Sequence, residues 1–434
     1  MLTMKNWQED YKRKITTAAE AVKSVKSGNR VTFSHACGEP RTLPAELVKR
    51  AGELRNVQIV HQVPMGEALY CRPEYGQSFQ HIALFAGGPT RQAIWEGRGD
   101  YIPRFNFEIP SLFESMWPVD VAMVTVSPPD KHGFCSLGVS VDWTKRSAET
   151  AKILIAEVNK NMPRVHGDSF IHVSQIDHIV EVGLPIHELN KKKMTEVEER
   201  IGRNVAELIE DDSCLQLGIG GIPDAVLANL GGFKNLGIHS EMIADGVMHL
   251  AEKGVINGSK KTIHKGKILV TFLMGTRAFY DWLDDNPMIE IHTVDYTNDP
   301  YVIAKNKKMI SINSALEVDL LGQVCADSLG PQQFSGVGGQ VDFVRGARMS
   351  EGGKAIIALP STAKEFSRIV PIFKQGAAVT TSRNDVDYIV TDCGIAALAG
   401  KTIRQRMKAI IEIAHPKFRE DFVRKAYEIY NVKI

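Results

Sequence analysis

The chain has 434 residues, 44% of them hydrophobic and 24% charged, an ordinary globular composition that argues against a disordered or fibrous protein. Lys plus Arg number 52 and Asp plus Glu 51, so the formal net charge is +1 and no general basic field speaks for nucleic-acid binding. A chain of this length usually holds two or three domains.

The N-terminus, MLTMKNWQEDYKRK, shows no apolar run after its charges, so a secretory signal is not expected. No uncharged apolar run approaches the ~20 residues of a membrane span. Short apolar runs then alternate with amphipathic ones. NRVTFSH (29–35), NVQIVHQ (56–62), VDVAMVTVSPP (119–129) and AKILIAEV (151–158) predict strands. SCLQLGIG (213–220), KILVTFLMG (267–275), KMISINSA (308–315) and KAIIALPS (354–361) predict more. Apolar residues at successive positions suit strands buried on both faces. LPAELVKRAGELR (43–55, with Pro44 in its first turn), VEERIGRNVAELIED (197–211) and PKFREDFVRKAYEIY (416–430) predict helices. The alternation gives an α/β fold with mainly parallel sheets. The cysteines at 37, 71, 135, 214, 325 and 393 are scattered, with no C-x-x-C pair. That points to reduced thiols in a cytoplasmic protein.

The pattern repeats. The stretch from Ser27 and the stretch from Asp211 each read as strand, Gly-containing turn, Pro-started helix, Asn-x-x-Ile and second strand. Pro44 and Pro223, Asn56 and Asn235, and Gln62 and Glu241 all differ by 179 positions. A second echo sets the segment from Met123 against that from Met309. Two tandem, related open α/β domains are expected, 1–190 and 191–434, with the boundary near HELNKKKMTEVEER (187–200).

Where the first copy has Gln62, the second places a carboxylate, Glu241, at the C-terminal end of a strand. In open α/β sheets that edge faces ligands, although a lone Glu in a loop also suits a solvated surface. LGIGGIPDAV follows a strand and opens a helix, so its amides can meet an anion or simply allow tight packing. Pro223 stands where a dinucleotide fingerprint needs its third glycine, and no Walker lysine follows. In FSGVGGQVDFVRGARMS (334–350), Gly336, Gly338 and Gly339 leave main-chain amides uncovered, fit for an oxyanion or for an irregular loop.

GIGGIPDAVLANL, IHSEMIADGV, QFSGVGGQVDFVRGA and AAVTTSRNDVDYIVTD, in that order, resemble the acetyl-CoA hydrolase/transferase family of CoA-transferases. AVKSVKSGNRV, VSPPDKHGFCSLGVSVD and AEVN extend the resemblance over essentially the whole chain. Within that family the nearest branches act on 4-hydroxybutyrate and on butyryl-CoA with acetate. The resemblance implies a two-domain CoA-transferase fold, with the catalytic Glu and the CoA site on the second domain. It implies that Glu241 is the nucleophile, that a glutamyl-CoA thioester forms in ping-pong turnover, and that Gly338 and Gly339 serve the oxyanion. It maps the CoA loop onto Gly218, Ile219, Gly220, Gly221 and Ile222, with Leu316 against the pantetheine arm and Lys364 toward the phosphates. Gln216, Gln340, His35 and Gln62 are candidates on the acid side, with packing roles the alternative for each. CoA is implied as a substrate, with no permanently bound cofactor and no metal. The implied partners are acyl-CoA and short carboxylic acids, not nucleic acid or membrane, with the chain in a homo-oligomer, a dimer. Two departures stand out: Asp392 and Cys393 where the family often has Glu-Tyr, and Ala36, Cys37 and Gly38 after the first strand. A hydrolase on the same scaffold and a non-catalytic CoA sensor are the alternatives.

Overall fold

The computed structural model describes residues 7–189 and 193–434. The boundary expected between 190 and 191 falls on residues outside that description. The chain forms two compact units, Met1–Leu189 with Leu269–Thr297, and Asn190–Ile268 with Asn298–Ile434. The segment 269–297, assigned from sequence to the second domain, thus groups with the first. Main-chain bonds hold it there: Val141 N and Asp142 N donate to Thr271 O at 3.3 and 3.0 Å, and Leu273 N donates to Val139 O at 2.8 Å. Sequence adjacency to the second copy hides this return.

The first unit's seven-stranded sheet consists of β1 (Arg30–Phe33), β2 (Val57–His61), β3 (Phe79–Ala83), β4 (Gly99–Tyr101), β5 (Val121–Val126), β6 (Ile153–Asn159) and β7 (His178–Val182). They pair in parallel in the order β4-β3-β2-β1-β5-β6-β7. Every residue of β5 is buried, as its unbroken apolar run requires. The helix after β1, α1 (Leu43–Lys49), has Pro44 in its first turn but stops at Arg50, earlier than the predicted residue 55. Turns around Gly52 end it. Val31, Phe33, Leu43, Leu47, Ile59 and Met123 pack the helix onto the sheet.

The second unit carries β8 (Cys214–Leu217), β9 (Gly237–His239), β10 (Met309–Ser314), β11 (Lys354–Ala358), β12 (Tyr388–Thr391) and β13 (Gly394–Ala397). They neighbour one another as β9-β8-β10-β11-β12-β13, parallel except for β13. Its helices include α2 (Glu196–Ala206), α3 (Gly221–Ala228), α4 (Asp245–Glu252), α5 (Gln340–Met349), α6 (Ile403–Glu412) and α7 (Pro416–Tyr430). Val344, Ile357, Ile389, Met407 and Ile410 belong to its core.

The strand order β2-β1-β5-β6-β7 recurs as β9-β8-β10-β11-β12, and the register recurs with it. Val31 opposes Ile59 and Val121, while Leu215 opposes Ile238 and Ile310. Ile155 opposes His178 as Ile356 opposes Tyr388. Asn56 and Asn235 both take the left-handed conformation, φ 55 and 56. One sequence pairing needs correction. The register makes Ile312, not Met309, the counterpart of Met123, because Phe33 opposes Met123 and Leu217 opposes Ile312. Apolar strand residues look alike, so a three-residue slip passes unseen in sequence.

Candidate active site

Parallel strands expose their C-terminal ends to ligands, and β9 delivers Glu241 to that edge. Ser240 ties the strand ends together: its Oγ donates to Leu217 O at 3.0 Å and accepts from Leu217 N at 3.3 Å. Glu241 follows, half-buried, before α4 begins. The Nδ2 of Asn298 donates to Glu241 Oε2 at 2.7 Å and to Asp342 Oδ2 at 3.3 Å. Asn298 and Asp342 are buried, and Asn298 Oδ1 has no partner among the described residues. Gly339 caps α5 and closes the other side. A Cβ at 339 would fall inside contact distance of Glu241 Oε2 and Asn298 Nδ2, so any larger residue there would displace this carboxylate or the amide that holds it. Gly338 has φ 52, a left-handed turn that brings the chain into the helix.

The glycine loop lies between β8 and α3 in the same unit. Gly218, Ile219 and Gly220 are exposed, and nothing lies within 4 Å of a Cβ built at 218 or 220. Gly220 caps α3 with φ 109. Gly221 packs against the Glu198 carboxylate, which belongs to the capping box of α2, and Ile222 turns into the core. The matching helix start in the first unit is already filled. Glu157, buried on β6, accepts from the amides of Arg41, Thr42 and Leu43 at 3.0, 2.7 and 2.8 Å and from the Thr42 hydroxyl. By register its counterpart on β11 is Ala358, since Thr125 opposes Glu157 as Ser314 opposes Ala358. At that register position the second unit thus has a methyl group where the first has a carboxylate.

Both halves carry a family signature. The N-terminal domain of the acetyl-CoA hydrolase/transferase family matches residues 1–184, and its C-terminal domain matches residues 275–426. The chain belongs to the acetyl-CoA hydrolase/transferase family. It is 59% identical to 4-hydroxybutyrate coenzyme A transferase of Clostridium kluyveri, over 96% of this chain and 98% of that protein. It is 38% identical to butyryl-CoA:acetate CoA-transferase of Anaerostipes caccae, over 97% of each. The crystal structure of 4-hydroxybutyrate CoA-transferase from Porphyromonas gingivalis superposes with a TM-score of 0.83 at 43% identity, covering 97% of this chain and 99% of that one. Within the acetyl-CoA hydrolase/transferase family, which also includes hydrolases, the chain is an enzyme of the CoA-transferase type.

The remaining residues named from sequence divide by unit. In the second, Gln216 and Asn313 exchange amide hydrogen bonds of 3.3 and 3.0 Å on adjacent strands. The Gln340 amide is committed to packing, donating to Ser314 O at 2.7 Å and accepting from Thr381 Oγ1 at 2.9 Å. Leu316 is half-buried just past β10. Lys364 is exposed, with φ 53, in the turn between Thr362–Ala363 and Phe366–Ser367. Asp392, shorter than the family's frequent Glu, still holds Ser361: it accepts from the amide at 2.7 Å and the hydroxyl at 3.1 Å. In the first unit, Gln62 is buried and donates to Asn106 Oδ1 at 3.0 Å, while the Trp143 indole donates to its carbonyl. His35 is buried edge-on to Phe272 with ring centroids 4.5 Å apart, and its Nδ1 lies 3.4 Å from Asp142 Oδ2. Burial pushes the Cys37 thiol up to about 12, which leaves no thiolate for nucleophilic attack at neutral pH. All six cysteines are unpaired. Among the described residues no helix is long and apolar enough to cross a membrane.

Of the residues named from sequence, Glu241 and Gly339 meet directly. Asn298 and Asp342 were missed. Asp342 stood inside the GGQVDF segment, three positions past Gly339, where a helix's first turn favours an acid. Asn298, in YTNDP, carries no motif.

Proposed function

We propose that the protein moves CoA between a short-chain acyl-CoA and acetate, with Glu241 as nucleophile. The observation that carries this is the placement of one carboxylate at a parallel strand's C-terminal end, hydrogen-bonded by Asn298 and walled by Gly339. A carboxylate nucleophile has no proton to surrender and needs no general base. It attacks the thioester carbonyl, and the tetrahedral oxyanion collapses to an acyl-glutamyl anhydride with loss of CoA thiolate. The thiolate then attacks the glutamyl carbonyl, expels the carboxylic acid as its anion, and leaves glutamyl-CoA. Acetate enters and runs the two steps in reverse. Neither the Gly338 nor the Gly339 amide bonds a main-chain oxygen among the described residues, which suits them to the developing oxyanion. CoA is proposed to lie along the open Gly218–Gly220 loop, with Ile222 and Leu316 as apolar backing and Lys364 toward its phosphates.

The relatives' names support short acids, 4-hydroxybutyrate and butyrate, as the second partner. A buried hydroxyl left unpaired costs roughly 1–3 kcal/mol, so a site for 4-hydroxybutyrate needs a polar partner for it. An apolar site discriminates weakly between the two chains. Overlapping use of both esters should follow. The experiment is kcat/KM for 4-hydroxybutyryl-CoA and butyryl-CoA with acetate, scored as new acetyl-CoA against free CoA. Parallel initial-rate lines and acetate-dependent acetyl-CoA support transfer. Free CoA released at the same rate without acetate supports hydrolysis instead. A preference for butyryl-CoA beyond roughly a hundredfold would count against a hydroxyl-binding site. A cytoplasmic homodimer belongs to the same reading and rests on the family resemblance; light scattering on a sizing column tests the dimer.

A further inference from the structure

We propose that Asp342 is a positioning residue for the transfer reaction, acting through Asn298 on Glu241; the inference rests on the reading of Glu241 as nucleophile. A primary amide has two ends of similar shape and opposite chemistry, two N–H donors on one and two lone pairs on the other. A half-turn of Asn298 about its last bond would exchange them. In the structure the nitrogen sits against two acids, Glu241 Oε2 at 2.7 Å and Asp342 Oδ2 at 3.3 Å. Each N–H thus has its own carboxylate. The reversed amide would set its carbonyl oxygen against both carboxyl oxygens, losing two hydrogen bonds and gaining two lone-pair repulsions. With Glu241 alone the bias toward the observed orientation would be one bond.

Asp342 has no exposure of its own through which to meet substrate; it is 1% accessible. It lies in the first turn of α5, the helix that Gly339 caps. One helix start therefore supplies both the wall beside Glu241 and the acid that orients the amide holding it. The buried Asn298 carbonyl oxygen, which has no partner among the described residues, fits this account: the two acids fix the amide by its nitrogen and leave the other end unpaired. The substitution Asp342→Asn removes the selection. Its new side-chain amide could accept from Asn298 Nδ2 or donate to Asn298 Oδ1, so both orientations would become available, and in one of them Glu241 faces an oxygen.

The test is a double-mutant cycle on the full chain. Asp342→Asn should lower kcat about tenfold with KM for the acyl-CoA within about twofold, the signature of a lost transition-state arrangement without lost binding. In an Asn298→Ala background the same substitution should change kcat no further, because the amide it orients is gone. Borohydride trapping of the glutamyl adduct in a single turnover should slow in parallel with kcat. Unchanged kcat in Asp342→Asn, or a loss that repeats in full without Asn298, would overturn the proposal. Asp342→Ser is the second variant; if neither folds, Asp342 holds the fold and not the carboxylate, which also overturns it. Absence of any glutamyl adduct in the active wild type is a different failure, that of Glu241 as nucleophile.

Discussion

At residue scale the site turns on one missing methyl group. Gly339→Ala would push its Cβ into Glu241 Oε2 and Asn298 Nδ2, so the carboxylate must move. A displacement near 1 Å at a reacting group costs on the order of 100-fold. The variant should therefore melt near the wild type yet lose about 100-fold in kcat; wild-type turnover would refute the crowding. Sequence made Glu241 and Gly339 visible through strand-end position and glycine clustering. It could not make Asn298 visible, since a hydrogen bond across 57 positions leaves no local pattern. A second residue-scale outcome concerns acid. Burial holds His61 and His81 down at about 3, with a nearby histidine adding to the effect in each case. Below the unfolded value of about 6.5 the unfolded chain takes up protons that the folded chain refuses, so stability is present above pH 6.5 and falls below it. Denaturant midpoints should drop between pH 7 and 5, and His81→Phe should drop less over the same interval. A slope unchanged in His81→Phe would contradict the assignment.

At element scale the two helix starts differ in whether a carboxylate of the chain already occupies their amides. Glu157 satisfies three amides at the start of α1 from within the chain. Glu157→Ala would leave three amides, the Leu43 one buried, without their acceptor and should cost about 3 kcal/mol, read as a shifted urea midpoint. A shift under about 0.5 kcal/mol would mean that water replaces the carboxylate freely. The converse substitution, Ala358→Glu, would offer the Gly218–Gly220 loop an internal anion. KM for acyl-CoA should then rise about tenfold or more while the fold persists; an unchanged KM would remove the loop from CoA binding. Strands such as β5, β6, β10 and β11 were legible as short apolar runs, whereas β3 and β4 were not read as strands, β4 being the polar Gly99–Tyr101. The end of α1 was not legible, since Ala51 to Leu54 continue the helical pattern while Gly52 and its turns stop it.

At the scale of the whole molecule, duplication is written in register. Five strands recur in order with the same cross-strand partners, and the left-handed Asn56 and Asn235 mark the same turn. Three anchors at one spacing revealed this in sequence, because turn and cap residues are chemically restricted. The return of 269–297 to the first unit stayed hidden, since its bonds to 139–142 are main-chain bonds that any side chains permit. Within this frame Gln62 and Glu241 hold matching strand-end positions with different chemistry: an amide locked to Asn106 and Trp143 in one unit, a carboxylate in the other. The central claim is that this carboxylate carries CoA covalently. The direct measurement treats the protein with borohydride in the presence of acyl-CoA and maps the peptides by mass. The account predicts reduction of Glu241 to its alcohol, dependent on acyl-CoA and accompanied by loss of turnover. Reduction at another residue, or near-normal turnover in Glu241→Ala, would contradict it.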